Sequence, residues 1–305
     1  MTQTALPGNV IRFLGIVCLT LFLPLSAAAQ DDAAGSGKKT RDELLGNKGK
    51  LYSSWGFNRG YHVDADTTFK TADGRFTIHD AHGDDRPSKD FSSYFLSSKA
   101  QYNFRFGWFI SDRWALETGT DHMKWVFDNS RSYVITGDYS RQVWLGGQLV
   151  DFSTAKQNQD ASFIDFEHTN GYNYGHVSAQ YYFPLFVSQN KRWSLQAAGG
   201  GGVGFFITKT RVEIRDQAQI APRIRDNDFA FAGYGAHLEG KLRCGYRSFY
   251  LEAASRHVIG EITNAPFLGS VGSISHSGLS SRQLMISAGA EFRFSKNKKK
   301  RSKAP

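Results

Sequence analysis

Ala100-Gln101-Tyr102-Asn103-Phe104-Arg105-Phe106-Gly107-Trp108 alternates: the even positions are apolar or aromatic, the odd ones polar or small. The stretch from Gln283 to Phe294 does the same. Leu284, Ile286, Ala288, Ala290, Phe292 and Phe294 share one face, and Gln283, Ser287, Gly289, Glu291 and Arg293 share the other. A period of two means a strand with one oily and one polar face. Six more segments alternate in this way, near 50–61, 113–127, 166–186, 192–210, 228–243 and 248–261. Together with 98–110 and 281–294 they predict eight strands.

The connections alternate in length. Ser111-Asp112, Ser188-Gln189-Asn190-Lys191 and Gly245-Tyr246-Arg247 read as tight turns, separated by long polar stretches near 62–97, 128–165, 211–227 and 262–280. Short turns at one end and long loops at the other predict an all-β chain. The expected fold is an antiparallel up-and-down transmembrane β-barrel, with short periplasmic turns and long extracellular loops. An even strand number sets both termini on the periplasmic side. Trp108, Trp114, Trp193, Phe249 and Phe294 fall near the turns, Trp125 and Phe127 near the loops, and two interfacial girdles are expected.

The ends of the 305-residue chain read differently. Residues 1–30 form a signal peptide: Arg12, an apolar run from Phe13 to Leu25, then Ser26-Ala27-Ala28-Ala29 for cleavage. A linker over 31–49 precedes the barrel at 50–294, and a basic tail follows at 295–305. After cleavage Cys244 is the only cysteine, which excludes a disulfide framework and a cysteine metal site. The mean hydropathy of -0.42 fits a barrel, because oily and polar faces cancel in any window. The formal charge of +9 is concentrated in Lys296, Lys298, Lys299, Lys300, Arg301 and Lys303, so it belongs to the tail. Nucleic acid is not expected as a partner of an exported chain. The tail reads first as a disordered, solvated end, with contact to an anionic envelope polymer as the alternative.

Ser287-Ala288-Gly289-Ala290-Glu291-Phe292-Arg293-Phe294 resembles the assembly signal of outer-membrane barrels, carried by Ser287, Gly289, Phe292 and Phe294, with eleven more residues beyond it. Ser54-Trp55-Gly56-Phe57-Asn58-Arg59, Asp121-His122-Met123-Lys124-Trp125 and Phe166-Glu167-His168-Thr169-Asn170-Gly171 resemble uncharacterised members of the small eight-stranded bacterial outer-membrane barrels. The resemblance spans 50–294. It implies the bacterial outer membrane, contact with its lipids including lipopolysaccharide, and insertion by the barrel-assembly machinery. It implies no activity.

An eight-stranded bore is narrow enough to be filled by side chains. Alternation turns Lys99, Arg105, Glu117, Asp121, Glu239, Arg243, Glu252, Arg256, Glu291 and Arg293 inward. Both signs occur on neighbouring strands, so the charges can pair, as their desolvation requires. The reading preferred is a plugged barrel without a cofactor, acting as a structural and interaction scaffold for large surface loops. A narrow channel for small solutes is the first alternative. The second is a lipid A-modifying esterase. His168-Thr169-Asn170-Gly171 is similar to the His-x-Ser-Asn-Gly signature of outer-membrane lipid A deacylases, with His168 at the position of the base. Here Asn170 stands where that signature has serine, and alternation turns His168 inward. In the first loop, folding a hairpin about Asp73-Gly74 would set Thr68 opposite His79 and gather His62, Asp64, Asp66, His79 and Asp85 as candidate metal ligands. A solvated loop is the competing reading.

Overall fold

The computed structural model describes residues 42, 45–85, 101–139, 142–145, 147–151, 159–215, 225–226, 228–267 and 272–293. The expected signal peptide, Lys99, Phe294 and the tail lie outside them.

Eight strands pair in chain order, each antiparallel to the next: β1 (Leu51–His62), β2 (Tyr102–Phe109), β3 (Trp114–Met123), β4 (Ile164–Val187), β5 (Trp193–Ile214), β6 (Ala230–Tyr246), β7 (Phe249–Phe267) and β8 (Gly272–Phe292). β8 then pairs back to β1, from Leu51↔Phe292 to His62↔Ser281, so the ring closes without an edge. Closure gives the first and last strands the ladder partners that a free edge would lack, a condition for lying in lipid.

Alternation sets what faces out. Tyr102, Phe104, Phe106 and Trp108 of β2 are exposed, while Asn103 and Arg105 between them are buried. Trp114, Trp193 and Phe249 form the expected outward girdle at the turn end, with Phe292 beside them. The partner girdle is not where the sequence reading put it. Trp125 is 1% exposed and Phe127 is also buried. The outward aromatics nearest the loops are instead Tyr61, Phe205, Phe231 and Tyr234.

Those two residues are buried because the wall continues past them. About 9–11 residues suffice for a strand to cross a bilayer, and β4 has 24, β5 22, β7 19 and β8 21. The predicted loop near 262–280 is therefore mostly strand: β7 and β8 stay paired to Phe267↔Gly272, bent by irregularities near Ile262. On the other side the first loop supplies the wall. Ala65–Thr71 pairs with the top of β8 and with Gly74–Ala81, which pairs with Ile135–Gly137. The hairpin turns on Ala72-Asp73, with Thr71↔Gly74 and Thr68↔Thr77, two partner positions away from the expected register. Phe69 and Phe76 stack at 4.7 Å on its inner face, and Phe69 meets Phe166 of β4 edge-on at 4.9 Å. β4 and β8 are opposite walls of the ring, so this aromatic cluster closes the loop end as a folded cap. At its rim Asp128 accepts from Ser130 Oγ at 2.6 Å and Arg131 Nε at 2.7 Å. The Ser130 hydrogen bond leads in holding that carboxyl below its ordinary range.

The turn end is covered as well. The segment before β1 crosses it: Asn47, 1% exposed, donates to Gln196 Oε1 and to the Asp112 carbonyl, each at 3.2 Å. Arg293 donates to the carbonyls of Gly46 and Lys48.

Two lumenal tyrosines lie flat against the wall over glycines. A Cβ on Gly107 would sit 2.0 Å from Tyr52 Cζ, and one on Gly289 would sit 2.3 Å from Tyr250 Cζ. Gly107→Val is expected to lower stability by about 1–3 kcal/mol through overpacking, read as a lower urea midpoint of the lipid-reconstituted barrel. An unchanged midpoint would contradict the placement of Tyr52.

Candidate functional site

The site with the most chemistry is the bore. Inward positions on four strands deliver four buried cations, Arg105, Lys241, Arg243 and Arg256, and four buried carboxylates, Glu117, Asp121, Glu239 and Glu252. Each ion taken from water costs several kcal/mol, so an unmatched set this deep would not fold. The pairing crosses the bore. Arg256 of β7 donates to Asp121 of β3, on the opposite wall, at 2.6 Å, and to Glu239 of β6 at 2.8 Å. Arg105 is hydrogen-bonded to Asp121. Lys241 of β6 reaches Glu117 of β3 at 2.7 Å and Glu239 at 2.7 Å.

One layer nearer the turns, Arg243 bonds Glu252 at 2.8 Å, Glu291 at 3.2 Å and the Tyr182 hydroxyl at 2.8 Å. Its guanidinium also sits 3.9–4.8 Å from the ring centres of Tyr52, Tyr182 and Tyr250. A planar, weakly hydrated cation suits such an aromatic cage, where an ammonium would lose more hydration. Lys50 closes the layer on Glu291 at 3.0 Å.

Of the interior residues expected from sequence, all the described ones but one belong to this network. Arg293 is the exception: it lies one residue past β8, exposed, and holds the crossing segment instead. Missing from the expected site are Lys50 and the three tyrosines. Lys241 shares the inward parity of Glu239 and Arg243. Tyr52 and Tyr182 also occupy inward positions, but a tyrosine in a strand gives no sign that it will face a cation. Ser287, of the C-terminal motif, faces the bore and donates to Asn103 Oδ1 at 2.8 Å.

Above the ions lies a second crossing. His168 of β4 and His276 of β8 meet at Nε2–Nε2, 3.0 Å apart. The remaining ring nitrogens are taken by Thr210 at 3.0 Å and Thr67 at 2.9 Å. Trp125 packs on His276 at 4.9 Å between ring centres. His168 is therefore fully buried under the cap, both nitrogens occupied, with no open face toward an acyl chain.

The loop residues expected to share a metal are dispersed. His79 pairs with Asp66 at 3.2 Å, and Asp64 with His82 at 2.6 Å. Asp85 accepts from the Gly60 amide, while His62 bonds Ser281 and the Lys124 carbonyl. The turn at Ala72-Asp73 and the irregularity between Ala65 and Thr67 separate them. Among the described residues no three His, Cys, Asp or Glu side chains gather as a metal group.

No family model matches the sequence, and no curated protein does. Solved structures do. Ail, the attachment invasion locus protein of Yersinia pestis, is 12% identical, covering 80% of this chain and 99% of that one, with a TM-score of 0.31. The outer membrane protein OprG of Pseudomonas aeruginosa is 16% identical over 81% and 98%, with a TM-score of 0.36. The outer membrane protein AlkL, solved in lipid bilayers, is 14% identical over 87% and 97%, with a TM-score of 0.34. The barrel assignment rests on this chain's own strand registers.

Asp121→Asn would leave Arg105 and Arg256 short of charge at a buried position. It should destabilise the folded barrel by about 3–5 kcal/mol, measured by urea unfolding in lipid vesicles. A loss below about 1 kcal/mol, the level of a surface pair, would mean that water reaches these arginines.

Proposed function

We propose that the chain is a bacterial outer-membrane barrel whose bore is shut, and which works as a structural and interaction scaffold holding the folded cap at the cell surface. The observation that carries this reading is the double crossing of the bore, Arg256 to Asp121 and His168 to His276, between opposite walls. A solute path would need both to part. The outward aromatic belts around an edgeless ring support a lipid setting. In this setting the short turns and both termini face the periplasm, lipopolysaccharide and phospholipid contact the belts, and the assembly machinery reads β8 through Gly289 and Phe292.

The cap offers a face for a partner. The hairpin Gln142–Leu145 with Gln148–Asp151 is held by buried Val143 and by Trp144 N donating to the Arg215 carbonyl at 3.1 Å. It sets Trp144 directly opposite Leu149, both exposed. Exposed aromatic and aliphatic side chains on a rigid hairpin are what an interaction surface uses. The esterase alternative gains nothing from His168, whose nitrogens are both engaged.

In planar bilayers the purified protein is expected to give no discrete conductance steps at neutral pH. Stable steps would overturn the shut bore and favour the narrow channel. Membrane-extracted protein should change gel mobility on boiling and fractionate with the outer membrane. An unshifted, soluble protein would sink the membrane reading.

A further inference from the structure

The turn end carries cations that the bore does not use. A cleft of about 380 Å³ there is lined by Lys50, Lys191, Arg192, Arg247 and Arg293, with Glu291 as its single carboxylate among the described lining residues. Glu291 is already neutralised by Lys50 at 3.0 Å and Arg243 at 3.2 Å. Arg293 spends its guanidinium on the carbonyls of Gly46 and Lys48. Among the described residues, Lys191, Arg192 and Arg247 have no carboxylate within ion-pairing distance.

The backbone gives a second, independent sign. Lys191 has φ 55° and Arg247 φ 56°, two of the three described non-glycine residues in the left-handed region. That region favours glycine, or asparagine and aspartate, whose short polar side chains bond locally; lysine and arginine have no such compensation. Two turns therefore each keep a basic side chain where glycine would be easier. Such outliers point from strain to use. The turns are also joined, since Arg247 N donates to the Arg192 carbonyl at 2.7 Å, which draws the three cations toward one cleft.

The third sign is the neighbourhood. Trp193 and Tyr246 pack at 4.7 Å between ring centres, and exposed Phe249 follows on the next strand. Cations interleaved with interfacial aromatics face the depth of lipid headgroups. Two guanidinium forks with an ammonium match the oxygens and charge of a phosphate.

We propose that this cleft is a phosphate-binding site, filled in the membrane by the headgroup of an anionic phospholipid. The lipid source, though not the phosphate chemistry, rests on the outer-membrane reading. The test uses the full chain in neutral detergent, titrated with short-chain phosphatidylglycerol, short-chain phosphatidylcholine and inorganic phosphate, and followed by tryptophan fluorescence and calorimetry. Phosphatidylglycerol should bind at least tenfold tighter than phosphatidylcholine. The double variant Lys191→Gly, Arg247→Gly should lose at least tenfold of that affinity while its urea midpoint rises, because glycine relieves both turns. Lys191→Gln alone should lose part of the affinity with its fold intact. Equal affinity for the two lipids, or unchanged binding in the double variant, would overturn the site. Inorganic phosphate binding as tightly as phosphatidylglycerol would overturn the lipid source. The titration needs no bilayer, so a site that binds in a chain failing the boiling and fractionation test separates the two readings.

Discussion

Arg256 has no exposed surface, and one of its two carboxylate partners comes from the far wall of the ring. The barrel depends on this contact. A guanidinium at that depth is tolerable only if anions arrive from both sides, and Asp121 can arrive only if β3 and β7 face each other across a narrow, closed ring. Strand number, register and the order of charges along β3, β6 and β7 are thus tied to one desolvation requirement. The tyrosine cage around Arg243 extends the same logic toward the turns, where aromatic faces help to replace lost water.

Much of this was legible in the sequence, because a strand's period of two reports directly which side chains share a face. β2 and the last half of β8 show every expected orientation, from Arg105 inward to Ile286 outward. The periodic signal fails where a strand runs past the aromatic belts. Past the belt the oily side turns inward, with Ile262, Phe267 and Ile274 buried while Thr263 and Asn264 are exposed, so the oily/polar contrast inverts. Residues 262–280 then read as loop although β7 and β8 continue through most of them. Trp125 and Phe127 depart from the expected girdle for the same reason: an aromatic near a strand end looks interfacial unless something folds over it, and here the first loop does.

The candidate site was legible in part. Balanced charges on alternate positions marked the ionic layer, but pairwise partners across a ring are not encoded in spacing, so nothing marked Asp121 for Arg256 in particular. The histidine crossing lay further out of reach. His168 and His276 are 108 residues apart, and their meeting depends on the irregularity that displaces β4 between Glu167 and Gly171. The metal cluster expected in the first loop shows the opposite failure. A turn moved by one residue keeps the same face but redistributes the partners along it, and five candidate ligands separated.

The segment that crosses the turn end has a consequence for order in time. Asn47 bonds groups brought by the β2–β3 turn and by β5, and the carbonyls of Gly46 and Lys48 are bonded by Arg293, just beyond the last strand. None of these partners is near another in the chain before the ring forms. The earliest part of the described chain must therefore be among the last to settle, after the first and final strands have met. Until then the base of the barrel stays open, and its charged layer is accessible to water from that side while the ions find their partners.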